Sequence, residues 1–253
     1  MSPRLSLLAL QALSQRLDAA ATQAPAAPRL ALQWAGAAAP FGSTTAEVLQ
    51  GLGFDPHSPD PNAHLAELAH TLRTRGQTGR WRDEPVRVAH PAGPAQIERA
   101  CARVLGIPTL AVHLIGWSVD GGLWLQQRAA TKAEDPNLWD TLVGGMVSAT
   151  ERPREALARE TWEEAGLQLD QLGPQRPAPE LYTRRPVSDA QGAGYLQERL
   201  LTVQVTLPEG LVPHNQDGEV QAFRLWRPDE VADGLADGAF TLDAARLLLR
   251  VMG

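Results

Sequence analysis

The sequence predicts an α/β protein in which a mixed β-sheet lies between helical layers, preceded by a small α+β unit. Three observations support this fold class. Apolar runs of strand length follow one another after residue 108, an acidic helix stands among them, and another helix ends the chain. Strands that surround one central helix suit a sheet covered on both faces. The pattern changes near residue 106, so we expect a first domain at 1–105 and a second at 106–253.

The first domain is predicted to begin with an amphipathic helix. Its apolar start could be misread as a signal peptide, but Gln11, Gln15, Arg16 and Asp18 interrupt it too soon for one. Residues 19–28 are low in complexity and are predicted to form a loop. The elements expected next are a strand at Leu30–Trp34, helices at Thr44–Leu52 and Leu65–Arg75, a strand at Glu84–Ala89 and a helix at Pro94–Leu105 that stops at Gly106.

The second domain is predicted to contain four apolar strands and two helices. Its first two strands flank Asp120-Gly121-Gly122, a sequence typical of a hairpin turn. The predicted strands are Thr109–Gly116, Gly122–Arg128, Arg199–Leu207 and Glu219–Trp226, and the helices are about 153–165 and Thr241–Met252.

The helix at about 153–165 carries a concentration of carboxylates. Pro153 suits its first turn, and Gly166 suits the position just past its end. Glu160 lies near Glu163 and Glu164 on one face, where three carboxylates repel one another unless a cation lies among them. Oxygen ligands favour hard divalent ions, so this face predicts a Mg²⁺ or Mn²⁺ site. The more apolar stripe, predicted to pack on the sheet, is Leu157, Thr161 and Ala165.

The residues around this helix resemble the signature of the Nudix hydrolases, G-x5-E-x7-R-E-U-x-E-E-x-G-U, in which U is a bulky apolar residue. Thr161 is the one departure, because an aliphatic residue is usual there. The resemblance implies an α/β/α sandwich and an enzyme that hydrolyses phosphorus anhydrides. The matching fixed positions are Gly145, Glu151, Arg159, Glu160, Glu163, Glu164 and Gly166.

The same resemblance implies a role for each position. Arg159 is similar to the residue that orients the metal-binding carboxylates. Glu151 is similar to a loop carboxylate that faces the same metals, and we expect it to bind substrate. The signature does not fix the general base, which is either a motif glutamate or one from a later loop. The implied metal ligands are Glu160, Glu163, Glu164 and the carbonyl oxygen of Gly145.

Two residues outside the signature are also candidates for the site. Lys132 is the only lysine beside 22 arginines, and it lies thirteen residues before Gly145. A compact ammonium charge there suits phosphate binding, although a surface lysine without a role is the alternative. Glu219 follows a turn and is expected to reach the metals as a ligand or general base; otherwise it is an edge-strand residue. Asp217 is a weaker candidate, because Asp-Gly is ordinary turn chemistry.

Composition excludes several other classes of protein. Cys101 is the only cysteine, so no internal disulfide forms, and we expect it to be a packed thiol. A net charge of −6 argues against a dedicated nucleic-acid binder, and no apolar run reaches the ~20 residues that span a bilayer. We therefore expect a cytoplasmic protein, and the resemblance to the Nudix hydrolases implies a small-molecule diphosphate as its partner. The oligomeric state is open, and a homodimer is one option.

A closer resemblance extends over about residues 70–253. The segments LRTRGQTGRWRDEPVRV and IERACARVLGIPTLAVHLIGW resemble a Nudix subgroup related to proteins associated with fungal thiamine pyrophosphokinase. That subgroup has an extra N-terminal domain. The implied reaction is hydrolysis of thiamine diphosphate, or of damaged and analogue forms such as oxythiamine diphosphate, to the monophosphate. Five of the seven tryptophans fall in the second domain, where they could form an aromatic wall for a flat ring or simply pack in the core.

Three other functions compete with this one. A nucleotide or ADP-ribose pyrophosphatase would use the same metal chemistry. Isopentenyl diphosphate isomerase shares the fold, but it needs a catalytic cysteine in a context that Cys101 lacks. A non-catalytic regulator could bind a ligand on the same fold, although the complete set of signature glutamates argues against a vestigial site.

Overall fold

A computed structural model describes residues 7–188 and 194–252 of the chain. The described residues form one large mixed sheet and two separate two-stranded ribbons. The helices are α1 (Leu7–Ala21), α2 (Ala46–Leu49), α3 (Pro61–Thr74), α4 (Pro153–Ala165), α5 (Pro228–Ala236) and α6 (Leu242–Met252). The strands are β1 (Leu30–Leu32), β2 (Gly42–Thr44), β3 (Pro85–Val88), β4 (Ala95–Glu98), β5 (Thr109–Trp117), β6 (Leu123–Arg128), β7 (Trp139–Asp140), β8 (Val143–Met146), β9 (Arg176–Pro177), β10 (Leu181–Val187), β11 (Gly194–Thr206) and β12 (Val220–Trp226).

The large sheet has the central order β10-β11-β5-β6-β12. Strands β5 and β11 run parallel, whereas β10 with β11 and β6 with β12 are antiparallel. The short strands β7, β8 and β9 pair with β6, β5 and β11. The prediction of a mixed sheet is therefore confirmed. The predicted hairpin joins β5 to β6. Across its turn, the Ser118 carbonyl oxygen accepts the Gly121 N–H, and the Ser118 N–H donates to the Gly122 carbonyl oxygen.

Helices cover both faces of this sheet. On one face, Leu157 and Ala165 of α4 pack with Leu114, Val143 and neighbouring apolar residues. On the other face, α6 buries Leu247 and Leu248 in a second cluster, to which α1 contributes Leu13. The stripe predicted on α4 is buried, and Thr161 satisfies its hydroxyl by donating to the Leu157 carbonyl oxygen at 2.6 Å. The α/β class, with helices on both faces of a mixed sheet, is confirmed.

A third apolar cluster lies in the first part of the chain. Trp34, Phe41, Leu68 and Val88 belong to it, and its last member is Ile107. Helix α1 instead packs on α6, at the other cluster. The domain boundary at residue 105 stays a prediction. Helix α1 belongs to the predicted first domain by sequence, but it packs on the sheet domain and not in this N-terminal core.

The predicted helix at Pro94–Leu105 is wrong. Residues 95–98 form β4, which pairs antiparallel with β3, and a short 3₁₀ turn follows. Ala95 and Ile97 are buried while Gln96 between them is exposed, which is the two-residue alternation of a strand. The helix-forming composition of this segment is overridden by its pairing partner. The predicted helix at Thr44–Leu52 is likewise shorter, because Thr44 belongs to β2.

Several elements were not predicted from the sequence. Strand β10, the first residues of β11 and helix α5 are among them. The first residues of β11 include the polar run 197–199, yet each of these residues pairs with a residue of β10. Among the described residues, no helix is both long and apolar enough to cross a membrane.

Candidate active site

Helix α4 presents the signature carboxylates toward strand β8. The helix spans Pro153–Ala165, as predicted, and Gly166 ends it in the left-handed conformation at φ 64°. The last turn of the helix is closed by a later loop, because His214 and Gln216 donate their backbone N–H groups to the carbonyl oxygens of Ala165 and Glu163. The sheet strand and the later loop therefore meet at the same end of α4.

Glu164 is the most deeply buried signature carboxylate, with 3% of its surface exposed. One of its oxygens accepts hydrogen bonds from the Gln126 side chain and from the Gly144 backbone N–H, each at 2.9 Å. Burial raises its pKa to about 8, the Gly144 hydrogen bond opposes this, and the nearby Glu160 carboxylate adds to the rise. A cation beside this carboxylate would offset the cost of burying its charge.

Gly145 allows Glu160 to lie directly against the backbone of β8. A Cβ atom at position 145 would be 2.0 Å from the Cδ atom of Glu160. Burial raises the pKa of Glu160 to about 7, while Arg159 lowers it and Glu163 raises it further. The glycine of the signature is thus required by the space that the Glu160 carboxylate occupies.

Arg159 forms hydrogen bonds with three of the signature carboxylates. Its guanidinium donates to Glu151 at 2.7 and 3.0 Å, to Glu160 at 2.9 Å and to Glu163 at 2.8 Å. The hydrogen bond from Arg159 lowers the pKa of Glu151 despite partial burial. Glu151 therefore contacts Arg159, and both line the same cavity.

Lys132 and Glu219 also line this cavity. The two side chains form an ion pair, although 87 positions separate them in the sequence. Burial raises the pKa of Glu219, but the hydrogen bond and charge of Lys132 outweigh it, so the pKa is lowered. Asp217 also lines the cavity, and its carboxylate accepts the Glu219 backbone N–H at 2.8 Å.

The cavity has a volume of about 430 Å³ and brings most of the predicted site together. Glu164 lies beneath it, bonded to the Gly144 N–H group. The N-terminal segment also contributes to its wall, including Arg82 and Arg99. The sequence did not rank Arg82 or single out Arg99, because nothing local places either one near α4. The predicted residues that line the cavity are Lys132, Gly145, Glu151, Arg159, Glu160, Glu163, Asp217 and Glu219.

The proposed aromatic wall is not part of this cavity, because none of its lining residues is aromatic. Trp139, Trp226 and Phe240 pack together in the cluster beneath α6 instead. Trp162 is half exposed and lies beside a separate groove, on the outer face of α4. Core packing therefore accounts for Trp139 and Trp226, and the wall of the cavity is charged.

The donor atoms at this site fit a hard divalent ion. Carboxylate oxygens are the ligands that Mg²⁺ and Mn²⁺ prefer, and the buried Glu160 and Glu164 carboxyls repel each other in the absence of a positive charge. Within residues 7–188 and 194–252, no three acidic, His or Cys side chains converge closely enough to hold an ion as they stand. Arg159 accounts for part of this, because it binds Glu160 and Glu163.

A glutamate-rich helix thus packs against a strand glycine of a mixed sheet, and a lysine lines the same cavity. The chain belongs to the Nudix family, because the NUDIX domain model matches residues 108–247. This match covers more than half of the chain and includes all the predicted site residues.

Individual relatives agree with this membership. "Nudix hydrolase 24, chloroplastic" of Arabidopsis thaliana is 30% identical over 206 residues, covering 75% of this chain and 53% of the relative. The uncharacterized protein YJR142W of Saccharomyces cerevisiae is 26% identical over 183 residues, with shares of 67% and 54%. The chain thus spans about half the length of these two relatives. The crystal structure of DR0079 from Deinococcus radiodurans is 25% identical, with a TM-score of 0.50, and covers 69% of this chain and 96% of that one.

Proposed function

We propose that this protein hydrolyses a diphosphate linkage in a small molecule, with Mg²⁺ or Mn²⁺ as cofactor. One observation carries the proposal: a single cavity is lined by the carboxylates of Glu160 and Glu163 and by the ammonium group of Lys132. The first group suits a divalent ion, and the second suits the phosphate that such an ion would accompany. Bound there, the ion would polarise the phosphoryl group and lower the pKa of water.

The residues that would hold the ion are those of the signature. Glu160 and Glu163 are bonded to Arg159, so they would have to turn from its guanidinium toward the ion. Arg159 would retain Glu151, to which it makes two hydrogen bonds, and would keep its position on the cavity wall. The implied ligands are Glu160, Glu163, Glu164 and the carbonyl oxygen of Gly145.

Hydrolysis also needs a base. As the oxygen of water bonds to phosphorus, the bridging P–O bond breaks, the base takes a proton from water, and a monophosphate leaves. Glu219 is our first candidate, because it lines the cavity as a carboxylate that Lys132 keeps ionised. Glu163 and Glu164 are the alternatives, and Lys132 would place its positive charge beside the reacting phosphate.

The proposed substrate is thiamine diphosphate, or a damaged or analogue form of it, which would be converted to the monophosphate. The resemblance of residues 70–253 to the thiamine-associated subgroup supports this choice. The charged wall of the cavity favours recognition through phosphate groups. Nucleoside diphosphates and ADP-ribose share those groups, so a nucleotide or ADP-ribose pyrophosphatase is the second candidate.

A panel of phosphate compounds tests the proposal. Thiamine diphosphate, oxythiamine diphosphate, ADP-ribose and several nucleoside di- and triphosphates are incubated with and without Mg²⁺, and the products are identified. Glu164→Gln should lower turnover by at least about 100-fold with little change in melting temperature, because glutamine keeps an acceptor oxygen for Gln126 and Gly144.

Glu155→Gln is the matched control on the same helix. Glu155 faces solvent and pairs with Arg152, so its variant should keep wild-type turnover. Preference for nucleotides would replace the thiamine assignment and keep the hydrolase. Tight binding of a panel compound without metal-dependent turnover would support a regulator on a Nudix fold and contradict the proposed reaction.

A further inference from the structure

We infer that Arg82 and Arg99 bind the non-reacting phosphate of the substrate, the phosphate next to its organic group. This inference rests on the proposed diphosphate hydrolysis and adds the residues that recognise the second phosphoryl group. Both arginines precede residue 108, where the match to the NUDIX domain begins. Both nevertheless line the cavity that contains Glu160 and Glu163.

Two cavities meet at these arginines. A smaller one, of about 140 Å³, is lined by Thr109 and Gln197 among others. Arg82 and Arg99 line both cavities. A diphosphate ester that reacts beside Glu160 would therefore place its second phosphate at the two guanidinium groups, with its organic part extending toward the smaller cavity.

The charges of both arginines already act on the predicted catalytic residues. Arg82 and Arg99 lower the pKa of Glu219, and Arg99 also lowers the pKa of Glu160. The Arg82 guanidinium makes no hydrogen bond or ion pair within the described part of the chain, although its backbone N–H donates to Glu98 at 3.0 Å. A half-buried cation on the wall of this cavity, with its donors unused, suits an anionic ligand.

The backbone on either side holds Arg82 in place. Trp81 donates its indole N–H to Asp83 at 2.8 Å, and the Arg73 guanidinium stacks over the Trp81 ring. Asp83 adopts a left-handed conformation at φ 59°, which aspartate tolerates better than most residues. The backbone of Arg82 is thus held by anchored neighbours, which lowers the entropic cost of ordering this segment when a ligand binds.

Arg99 is held by a second set of contacts. Its backbone N–H donates to the Glu84 carbonyl oxygen at 2.8 Å, and its guanidinium pairs with the Glu84 carboxylate at the edge of the cavity. The neighbouring Pro85 carbonyl oxygen accepts the Ala149 N–H at 2.8 Å, which ties this segment to the loop that carries Glu151. The N-terminal segment and the signature loop therefore form one continuous wall.

The test compares Arg82→Gln and Arg99→Gln with the matched control Arg87→Gln. Arg87 lies on the same segment and contacts the Ala149 carbonyl oxygen, but it lines neither cavity. kcat and KM are measured with Mg²⁺ on the panel compound that the wild type hydrolyses fastest, and inorganic pyrophosphate is titrated as a competitor. Thermal melts show whether each variant is folded.

The first two variants should each raise KM and the pyrophosphate inhibition constant at least tenfold, with kcat within threefold of wild type. Arg87→Gln should stay within twofold for all three constants. Unchanged KM in Arg82→Gln and Arg99→Gln, or an equal rise in the Arg87→Gln control, would overturn the inference. If the wild type hydrolyses no panel compound, the proposed reaction fails separately. In that case the binding of inorganic pyrophosphate in the presence of Ca²⁺ is measured by calorimetry for the wild type and for both variants. Binding that is tenfold weaker in both variants supports the arginine site, and binding equal to that of the wild type overturns it.

Discussion

Gly145 shows how much of the site depends on single atoms. The Glu160 carboxylate occupies the volume that a side chain at 145 would need, and Glu160 in turn contacts Arg159. A displacement of about 1 Å in a catalytic group can cost ~100-fold in rate. The identity of one residue on β8 is therefore linked to the position of a carboxylate on α4.

Gly145→Ala should reduce kcat/KM on the best substrate by at least about 100-fold, because the new methyl group forces Glu160 to move. Steady-state kinetics with Mg²⁺ would measure the loss. Gly122→Ala is a control in the β5–β6 turn, where the nearest atom to a new Cβ is the flexible end of Leu225, at 3.0 Å. Wild-type turnover in Gly145→Ala would show that Glu160 does not act from its observed position.

Cys101 gives a second prediction at this scale. Its side chain is fully buried, and burial together with the Glu98 charge raises the pKa of the thiol to about 12. At pH 8 about one thiol in ten thousand would be ionised, and the thiolate is the reactive form. We expect no labelling by iodoacetamide over an hour in the native protein and complete labelling in urea, measured by mass spectrometry. Rapid native labelling would contradict the packed thiol predicted from the sequence.

Helix α4 connects strand β8 to the loop that carries Glu219. Its first turn is closed by Glu155, which accepts the Arg152 N–H at 2.8 Å. Its last turn is closed by N–H groups of His214 and Gln216, three to five residues before Glu219. The contacts at the end of α4 therefore affect both the stability of the helix and the position of Glu219, the candidate base.

Gly166→Ala should destabilise the protein by about 2 kcal/mol, which is ~4–8 °C in melting temperature for a chain of this size. The left-handed backbone accounts for about half of this, and the new methyl group would lie 2.6 Å from the His214 ring. Gly210→Ala is the matched control, since it has a left-handed φ of 80° but no atom within 4 Å of a new Cβ. A loss in Gly166→Ala no larger than that of the control would exclude the contact with the loop.

At the scale of the whole molecule, the two ends of the chain are bound to each other. Asp18 on α1 accepts hydrogen bonds from Arg246 and Arg250 on α6, and the Arg246 side chain is only 5% exposed. Arg246 also donates to the Tyr182 carbonyl oxygen on β10. A buried guanidinium thus links the first helix, the last helix and the edge of the sheet.

The Asp18 contacts should make stability depend on pH. Burial raises the pKa of Asp18, but the hydrogen bonds and charges of Arg250 and Arg246 outweigh it, so the folded pKa lies below its ordinary value. The stabilisation is therefore present above the unfolded pKa near 4 and is lost as pH falls through the folded pKa. Asp18→Asn should cost about 1 kcal/mol at pH 7, a modest value because Asp18 is 39% exposed.

Urea unfolding of wild type and Asp18→Asn at pH 7, 5 and 3 would measure this dependence. The difference between the two proteins should persist at pH 5 and shrink at pH 3. Glu67→Gln, an exposed change on α3, controls for the loss of a negative charge. A difference that stays constant down to pH 3 would show that the ion pair does not contribute.

The limits of sequence reasoning follow from the range of the interactions involved. Helix α4 was predicted to the residue because proline, glycine and the glutamate spacing are local signals. The composition of strand β4 favours a helix, and only its pairing with β3 makes this segment a strand. The pairing of Lys132 with Glu219 was not predicted, although each was a candidate, because 87 positions separate them.

Short-range spacing and the order of the elements are enough to predict the α/β class, the mixed sheet, the bounds of α4 and the set of signature residues. Folding of the whole chain determines which distant groups share the cavity and which tryptophans lie away from it. It also brought Arg82 and Arg99 to the signature loop, through a backbone contact between Pro85 and Ala149. The physical reason is that a cavity is formed by chain segments far apart in sequence, and packing and hydrogen bonding bring them together only when the whole chain folds.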